Sequence, residues 1–333
     1  MSETIHLKRD EGIALIASAF SASGVEDSIT NLVAQSLYDA ERDGQKGHGF
    51  SRVPSYAAQA RSGKVGGTAK VTVEKPRSAL ILVDAAGGFA YPALRAAEEA
   101  LVPAAKECGI ACAAIRNSHH CGQLSQVMER LADQGLVALM FANTPKAMAP
   151  WGGGSALFGT NPIAFGAPQD DAPSLVIDLS LSKVARGKIM AASKTGDPIP
   201  EGWALDADGN ATTDAKAALG GTMIPLGDAK GAALALVVEV LAASLTGANL
   251  SRDASSFFDA EGPSPGVGQL IVAFDPTGFA PGFGDRIATI AQAIDADGDA
   301  RLPGSRRLAL REKADRDGVA VPKALIEEIR ALA

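Results

Sequence analysis

The sequence predicts an α/β protein with a helical N-terminal part, and three observations lead there. Helical periodicity alone runs over roughly residues 9 to 65. From there on, short apolar runs alternate with helical stretches, the pattern of a βαβ-rich sheet. No internal repeat or low-complexity linker interrupts the chain, so no clean domain boundary is marked. The division expected is a helical region over 1–65 that packs with the C-terminal helices, an α/β region over 66–310, and a C-terminal helix over 311–333.

Each element follows from local pattern. RDEGIALIASAFSASG has apolar residues at helical spacing and stops at Gly24; VEDSITNLVAQSLYDAERDG does the same and stops at Gly44. SRVPSYAAQARSG gives a third, short helix. AKVTVEKPRSALILVDAAG reads as two strands with a turn at Lys75-Pro76, and YPALRAAEEALVPAAKECG as a helix ending at Gly109. IACAAIRN is a strand, LSQVMERLADQG a helix and LVALMFAN a strand. Between Pro145 and Pro168 the chain is rich in Gly and Pro without periodicity, and a loop that long is either functional or misread. SLVIDLS is a buried strand with the helix KVARGKIMAASKTG behind it. A polar hairpin-like region follows, with Trp203 and the turn DADGN. Lys230 to Gly247 is the most apolar helix, GQLIVAFDP the last strand and RIATIAQAID a helix. RLPGSRR is a basic loop, and PKALIEEIRALA closes the chain.

Composition bounds the function. Of 333 residues, 47% are hydrophobic but only 5% aromatic, while 36 are glycine, so the core depends on close backbone packing rather than large rings. A net charge of −7 with interspersed signs excludes a general nucleic-acid binder. Cys108, Cys112 and Cys121 are too few and too clustered for a disulfide scaffold and suit a reducing interior. The N-terminus lacks the features of a signal peptide, and GAALALVVEVLAASLTG is broken by Glu239 and too short for a bilayer. A cytoplasmic protein with no membrane partner is expected.

Chemistry-bearing motifs were sought next. GVGQLI and GFGDRI lack the third glycine and the strand-to-helix context of a dinucleotide fingerprint, and no P-loop, G-x-S-x-G or H-E-x-x-H occurs. The two DADG stretches fail the calcium-loop spacing and read as solvated turns. His119-His120 follows a strand where ligands of open α/β sheets sit, but adjacent side chains point to opposite faces, which disfavours a shared metal. His48 lies between two glycines, with Arg52 four residues on. An arginine fork grips a carboxylate, and an imidazole passes a proton to the atom made basic by hydride arrival. The bland alternative is a loop whose His and Arg face water.

Together GHGFSRVPSY, RNSHHCGQLS, ANTPKAMAPWGG, LFGTNPIAFGAP, IDLSLSKVARGKI and DAKGAALALVVEVL resemble the malate/L-lactate dehydrogenase family that lacks a Rossmann domain, over about residues 10–315. The resemblance implies the α/β, non-Rossmann NAD(P)-binding fold of the L-2-hydroxycarboxylate dehydrogenase type, with residues 66–310 binding cofactor and substrate, and a homodimer with its site near the interface. It implies His48 as proton donor, with His120 its partner or rival, Arg52 on the substrate carboxylate, and Thr160 against the substrate. It also implies NAD(P)H contacts from His120, Cys121, Gly122, Gln123, Leu124, Thr144, Asp178, Leu179, Ser180, Lys230, Pro303, Gly304, Ser305 and Arg306. Arg306 and Arg307 tilt the choice toward NADPH. Two departures stand out: Gly47 replaces the serine many members carry before the histidine, and Lys188 stands where imino-acid reductases carry a relay aspartate. The expected reaction is hydride transfer between nicotinamide and C2 of a small 2-oxo or 2-hydroxy acid. The alternative substrates are Δ1-pyrroline- and Δ1-piperideine-2-carboxylate; a dinucleotide-binding sensor and a metal-dependent hydrolase are the readings from other classes.

Overall fold

A computed structural model describes residues 3–170 and 172–333. Strand β1 (Thr4–Leu7) leads into α1 (Arg9–Ser21) and α2 (Asp27–Arg42), then two 3-10 turns over Lys46–His48 and Phe50–Arg52, then α3 (Val53–Ser62). Next come β2 (Thr72–Arg77), β3 (Leu80–Asp84), α4 (Ala90–Cys108), β4 (Ile110–Ser118), α5 (Ser125–Asp133), β5 (Val137–Ala142), β6 (Ile163–Ala167) and β7 (Leu175–Leu179). Helix α6 (Arg186–Thr195), β8 (Ala204–Leu205), α7 (Ala215–Gly220) and β9 (Thr222–Met223) follow, and α8 (Ala229–Glu239) continues through a π-helical turn at Val240–Ser244. The chain closes with β10 (Val267–Phe274), α9 (Phe283–Asp295), α10 (Ser305–Asp317), β11 (Val319–Pro322) and α11 (Lys323–Arg330).

Seven strands form one mixed sheet in the order β2-β3-β4-β10-β5-β6-β7. β3 and β4 are parallel, while β10 runs antiparallel to both β4 and β5, and β6 antiparallel to both β5 and β7. The carboxyl ends of β3, β4, β5 and β7 therefore share one edge with the amino ends of β10 and β6. The turns after Ser118, Ala142 and Leu179 are brought side by side there. Helix α4 covers the sheet with Ala90, Ala93, Ala97, Ala104 and Ala105 against Ile81, Val83, Ala111, Ala113 and Ile115. Such small residues let helix and sheet approach closely, which is how a chain poor in aromatics reaches native packing density.

A second apolar cluster joins α1–α3 to the C-terminus. β1 pairs antiparallel with β11, and Ile16, Phe20, Leu37, Phe50 and Tyr56 pack with Val319, Val321, Ile326 and Ile329. A third links Met148, Phe158, Leu181, Ile189, Met223 and Val238 beside the sheet edge.

Three local readings differ from the structure. The turn expected at Lys75-Pro76 falls instead at Ser78–Ala79, with Pro76 inside β2. That is tolerated because β2 is an edge strand, where a missing N–H leaves no partner unpaired, and the ladder bulges between Glu74 and Arg77. The loop from 145 to 168 contains β6, whose alternation is blurred because Gly166 packs on the Met128 carbonyl and offers no side chain. The basic loop RLPGSRR already holds the start of α10, and four-residue β1 is too short for a periodic signal.

A polar network ties α10 to the rest. Arg311 donates to Asp43 at 2.7 and 2.9 Å and to Glu129, while Arg307 also pairs with Glu129 at 2.9 Å. Gln123 donates to the same Asp43 at 2.8 Å. The Asp43 side chain is 1% exposed, so its charge depends on Arg311 for compensation. Arg311→Ala is expected to cost about 3 kcal/mol by stranding that carboxylate, whereas Arg9→Ala, which breaks an open ion pair with Asp39, should cost at most ~1 kcal/mol. Urea unfolding of both variants checks this; equal losses would refute it.

Candidate active site

The site grows from the two 3-10 turns after α2. Arg52 folds back so that its Nε donates to the Gly47 carbonyl at 2.7 Å, and its guanidinium lies 4.7 Å from the Phe258 ring centre. This places Arg52 beside His48 with Nη1 buried and without a protein partner. His48 is half-buried, and its ring stacks on His120 at 5.1 Å and 11°. Its Nδ1 is likewise buried and unpaired. With Gly47 in place of a serine, no side chain hydrogen-bonds this Nδ1 among the described residues, and Lys188 lies exposed on α6.

The histidine doublet divides as alternate faces require. His119 is fully buried and bonded through Nε2 to Gln59 Oε1 at 2.7 Å. Gln59 Nε2 donates to the carbonyls of Phe257 and Asp259, each at 2.9 Å, so its oxygen faces His119 and the His119 proton sits on Nε2. His120 turns the other way, against His48, Phe257 at 5.0 Å and the Tyr56 hydroxyl, which is hydrogen-bonded to its Nδ1.

The remaining candidates lie along the common sheet edge. The turn Cys121-Gly122-Gln123-Leu124 runs from His120 to α5, whose first N–H, from Ser125, donates to Asp178 at 2.9 Å at the end of β7. Gln123 is buried against Asp43, and Cys121 is buried with its thiol pushed up by desolvation. Thr144 accepts the Thr160 N–H at 2.9 Å, and Thr160 presents its carbonyl to Ser180 and to the Leu181 N–H. Asp178, Leu179 and Ser180 form the exposed to half-buried rim of that edge. The approach to α8 packs on the same rim, since Leu226 donates to the Leu181 carbonyl; Lys230 is exposed in the first turn of α8. Gly304, at φ +90°, turns Pro303-Gly304-Ser305-Arg306 beside Val176, leaving Ser305 and Arg306 exposed. Helices α8 and α10 both begin without a side-chain cap, and the N–H groups of Lys230 and Ser305 donate to the carbonyls of Gly227 at 3.2 Å and Leu302 at 3.3 Å.

The arrangement suits a nicotinamide dinucleotide with a carboxylate substrate. Buried unpaired donors await partners, and Arg52 Nη1 beside the unpaired His48 Nδ1 offers a carboxylate and a proton site together. Four side chains escaped the sequence reading. Tyr56 and Gln59 look like ordinary core positions of a helix. Phe257 and Phe258 sit in an aperiodic stretch, ASSFFDAEG, where two aromatics in polar surroundings were the only signal. Lys64, itself buried, holds this segment by its 2.8 Å bond to Asp259.

The comparisons with known proteins fall on the same reading. The sequence model of malate/L-lactate dehydrogenase matches residues 7–330. The chain belongs to that family. It is 51% identical over 333 residues to (2R)-3-sulfolactate dehydrogenase (NADP(+)) of Chromohalobacter salexigens, covering 100% of this chain and 99% of that one. It is 41% identical over 326 residues to the Δ1-pyrroline-2-carboxylate/Δ1-piperideine-2-carboxylate reductase of Pseudomonas putida, covering 96% and 94%. The crystal structure of Δ1-piperideine-2-carboxylate reductase from Pseudomonas syringae superposes with a TM-score of 0.94 at 37% identity, covering 99% and 100%. The α/β fold and the oxidoreductase class expected from the sequence stand.

In this malate/L-lactate dehydrogenase family member the three site histidines are held neutral. Burial pushes His48 and His119 down to about 3 and His120 well below its ordinary range, and the Arg52 cation adds to each. An unfolded histidine titrates near ~6.5, so below that pH the unfolded chain binds protons the folded one refuses. Glu41, raised by burial to about 7, and Asp178, also raised by burial, act in the opposite sense, but they are two groups against three. Stability is therefore fully present above pH ~6.5 and is lost as pH falls. The urea midpoint is expected to drop between pH 7 and 5, before most carboxylates titrate; a flat or rising midpoint would overturn the neutral assignment.

Proposed function

We propose that this enzyme interconverts a small 2-oxo acid and its 2-hydroxy acid with NADP(H). The observation that carries the reading is the buried, partnerless Arg52 Nη1 beside the partnerless imidazole of His48. When bound, reduced nicotinamide supplies the hydride that C2 accepts. Arg52 pairs with the substrate carboxylate, and Thr160, held by Thr144, borders the substrate. His48 exchanges the proton of the C2 oxygen, with stacked His120 as its partner. A neutral imidazole is ready to take that proton in the oxidising direction. In the reducing direction the arriving carboxylate offsets the Arg52 charge, relieving one of the two effects that hold His48 neutral, and makes it a better proton carrier.

The relative at 51% identity, named for sulfolactate, supports a 2-hydroxy acid as substrate. The cyclic imines are the second reading, supported by the likeness to the two named reductases. Turnover of NADPH with pyruvate, oxaloacetate, sulfopyruvate and the two cyclic imines separates them, and turnover confined to the imines would sink the first. His48→Ala is expected to lower kcat by roughly 10²- to 10⁴-fold while NADPH still binds, as measured by fluorescence titration. Unchanged turnover would transfer the proton role to His120.

The cofactor contacts proposed are the His120–Leu124 turn, Thr144, Asp178–Ser180, Lys230 and Pro303–Arg306. Arg307 is committed to Glu129, so Arg306, exposed and without an ion pair among the described residues, is the candidate for the 2′-phosphate. Arg306→Ala should raise KM for NADPH about tenfold and leave KM for NADH unchanged; equal effects on both would refute that role. A homodimer is also proposed. It is supported by the apolar face that α8 and its π turn leave exposed, with Leu236, Val237, Val240 and Leu245 about half accessible or more. The three unpaired cysteines support a cytoplasmic setting.

A further inference from the structure

Glu41 lies in the last turn of α2, only 7% exposed, beneath the backbone that carries His48 and Arg52. Its Oε2 accepts the Phe50 N–H at 3.1 Å, and no other donor reaches the carboxylate among the described residues. Gly49 passes so close above the same oxygen that a methyl group on it would overlap Glu41 Oε2. The two 3-10 turns meet at Gly49-Phe50, with His48 on one side and Arg52 on the other. Phe50 is anchored at its other end, because its ring is fully buried between Tyr38 and Gly12. The hydrogen bond to Glu41 therefore holds the junction from which both functional side chains depart.

We propose that Glu41 is a positioning residue: its carboxylate, by holding the Phe50 N–H, sets the junction between the two turns and thereby the placement of His48 relative to Arg52. This rests on the reading of His48 and Arg52 given above. It also answers what orients a histidine that has neither a neighbouring serine nor a bonded Nδ1. The ring stack on His120 fixes its plane, and the Glu41 bond fixes its backbone.

The carboxylate is a strained choice for such a place unless its charge is used. Burial pushes Glu41 up to about 7, with the Phe50 N–H and the Lys46 charge acting against that rise. Lys46 in the first 3-10 turn is the one charge that acts on the carboxylate among the described residues. Ionised, the carboxylate makes the stronger, charge-assisted bond to Phe50. Activity is then expected to rise as pH passes upward through about 7.

Glu41→Gln keeps the shape and an acceptor oxygen but cannot ionise. It should lower kcat roughly tenfold at pH 8 and remove the rise near neutrality, with KM for NADPH unchanged. Amide hydrogen exchange at Phe50 should quicken about tenfold at constant pH as the charge-assisted bond becomes a neutral one. Glu41→Ala should quicken it further, and the exchange measurement needs no substrate, so it tests the proposal even if the oxidoreductase reading fails. Wild-type kcat and pH profile in Glu41→Gln would overturn the proposal, as would Phe50 exchange unchanged in both variants.

Discussion

The site is organised by one unbalanced charge. Arg52 carries a cation with which no carboxylate among the described residues pairs, and its buried Nη1 has no partner among them. A buried charge without compensation is costly, and proteins retain one where something outside the chain completes it. The consequence spreads to every titratable neighbour. Arg52 reinforces the desolvation that keeps His48, His119 and His120 neutral, and it draws the face of Phe258 over its own plane. A carboxylate paired with Arg52, as proposed, would be favoured twice, by the pairing itself and by relief of the imidazoles.

That charge can only act because the sheet presents everything else at the same edge. Inserting β10 antiparallel between β4 and β5 keeps those two strands pointing together while separating them by a full strand. The histidine turn after β4 and the Thr144 segment after β5 thus flank the amino end of β10, whose Gly268 is bonded to Asn143, instead of packing on each other. Each end is then tied down by bonds to the next: Ser125 to Asp178, Thr144 to Thr160, Thr160 to Ser180. The approach to α8 is drawn onto the same rim by the Leu226 N–H, which donates to the Leu181 carbonyl at 2.8 Å.

The elements were legible in the sequence to the extent that burial imposed a period. Helices α1 and α2 and strands β4, β5, β7 and β10 are amphipathic or apolar enough to be read directly. β6 was hidden because Gly166 gives up a side chain to let α5 approach, and β1 because four residues cannot display alternation. His48 and the His119-His120 doublet stood out because the chain has only four histidines, whereas the pairing of His48 with Arg52 rested on the family resemblance and not on spacing. Tyr56, Gln59 and Phe257 did not stand out: each looks like a core residue and serves the site by contact across long sequence separations, as in the Gln59 bond to the Phe257 carbonyl. Short-range pattern carries no information about such pairs.

The doublet shows why adjacency was the useful clue and also the misleading one. Both histidines are neutral and both are buried, so burial and charge do not separate their roles. Hydrogen bonding does. His119 is held by a glutamine whose orientation is dictated by two backbone carbonyls, and a proton on its Nε2 is already spoken for. His120 is bonded at Nδ1 to the Tyr56 hydroxyl, and its ring lies stacked on His48. A nitrogen committed to the scaffold cannot exchange its proton without breaking the bonds around it. Hydrogen bonding thus ties the first histidine to Gln59 and the Phe257–Asp259 segment and leaves the second on the His48 side, a division that neither spacing nor burial supplies.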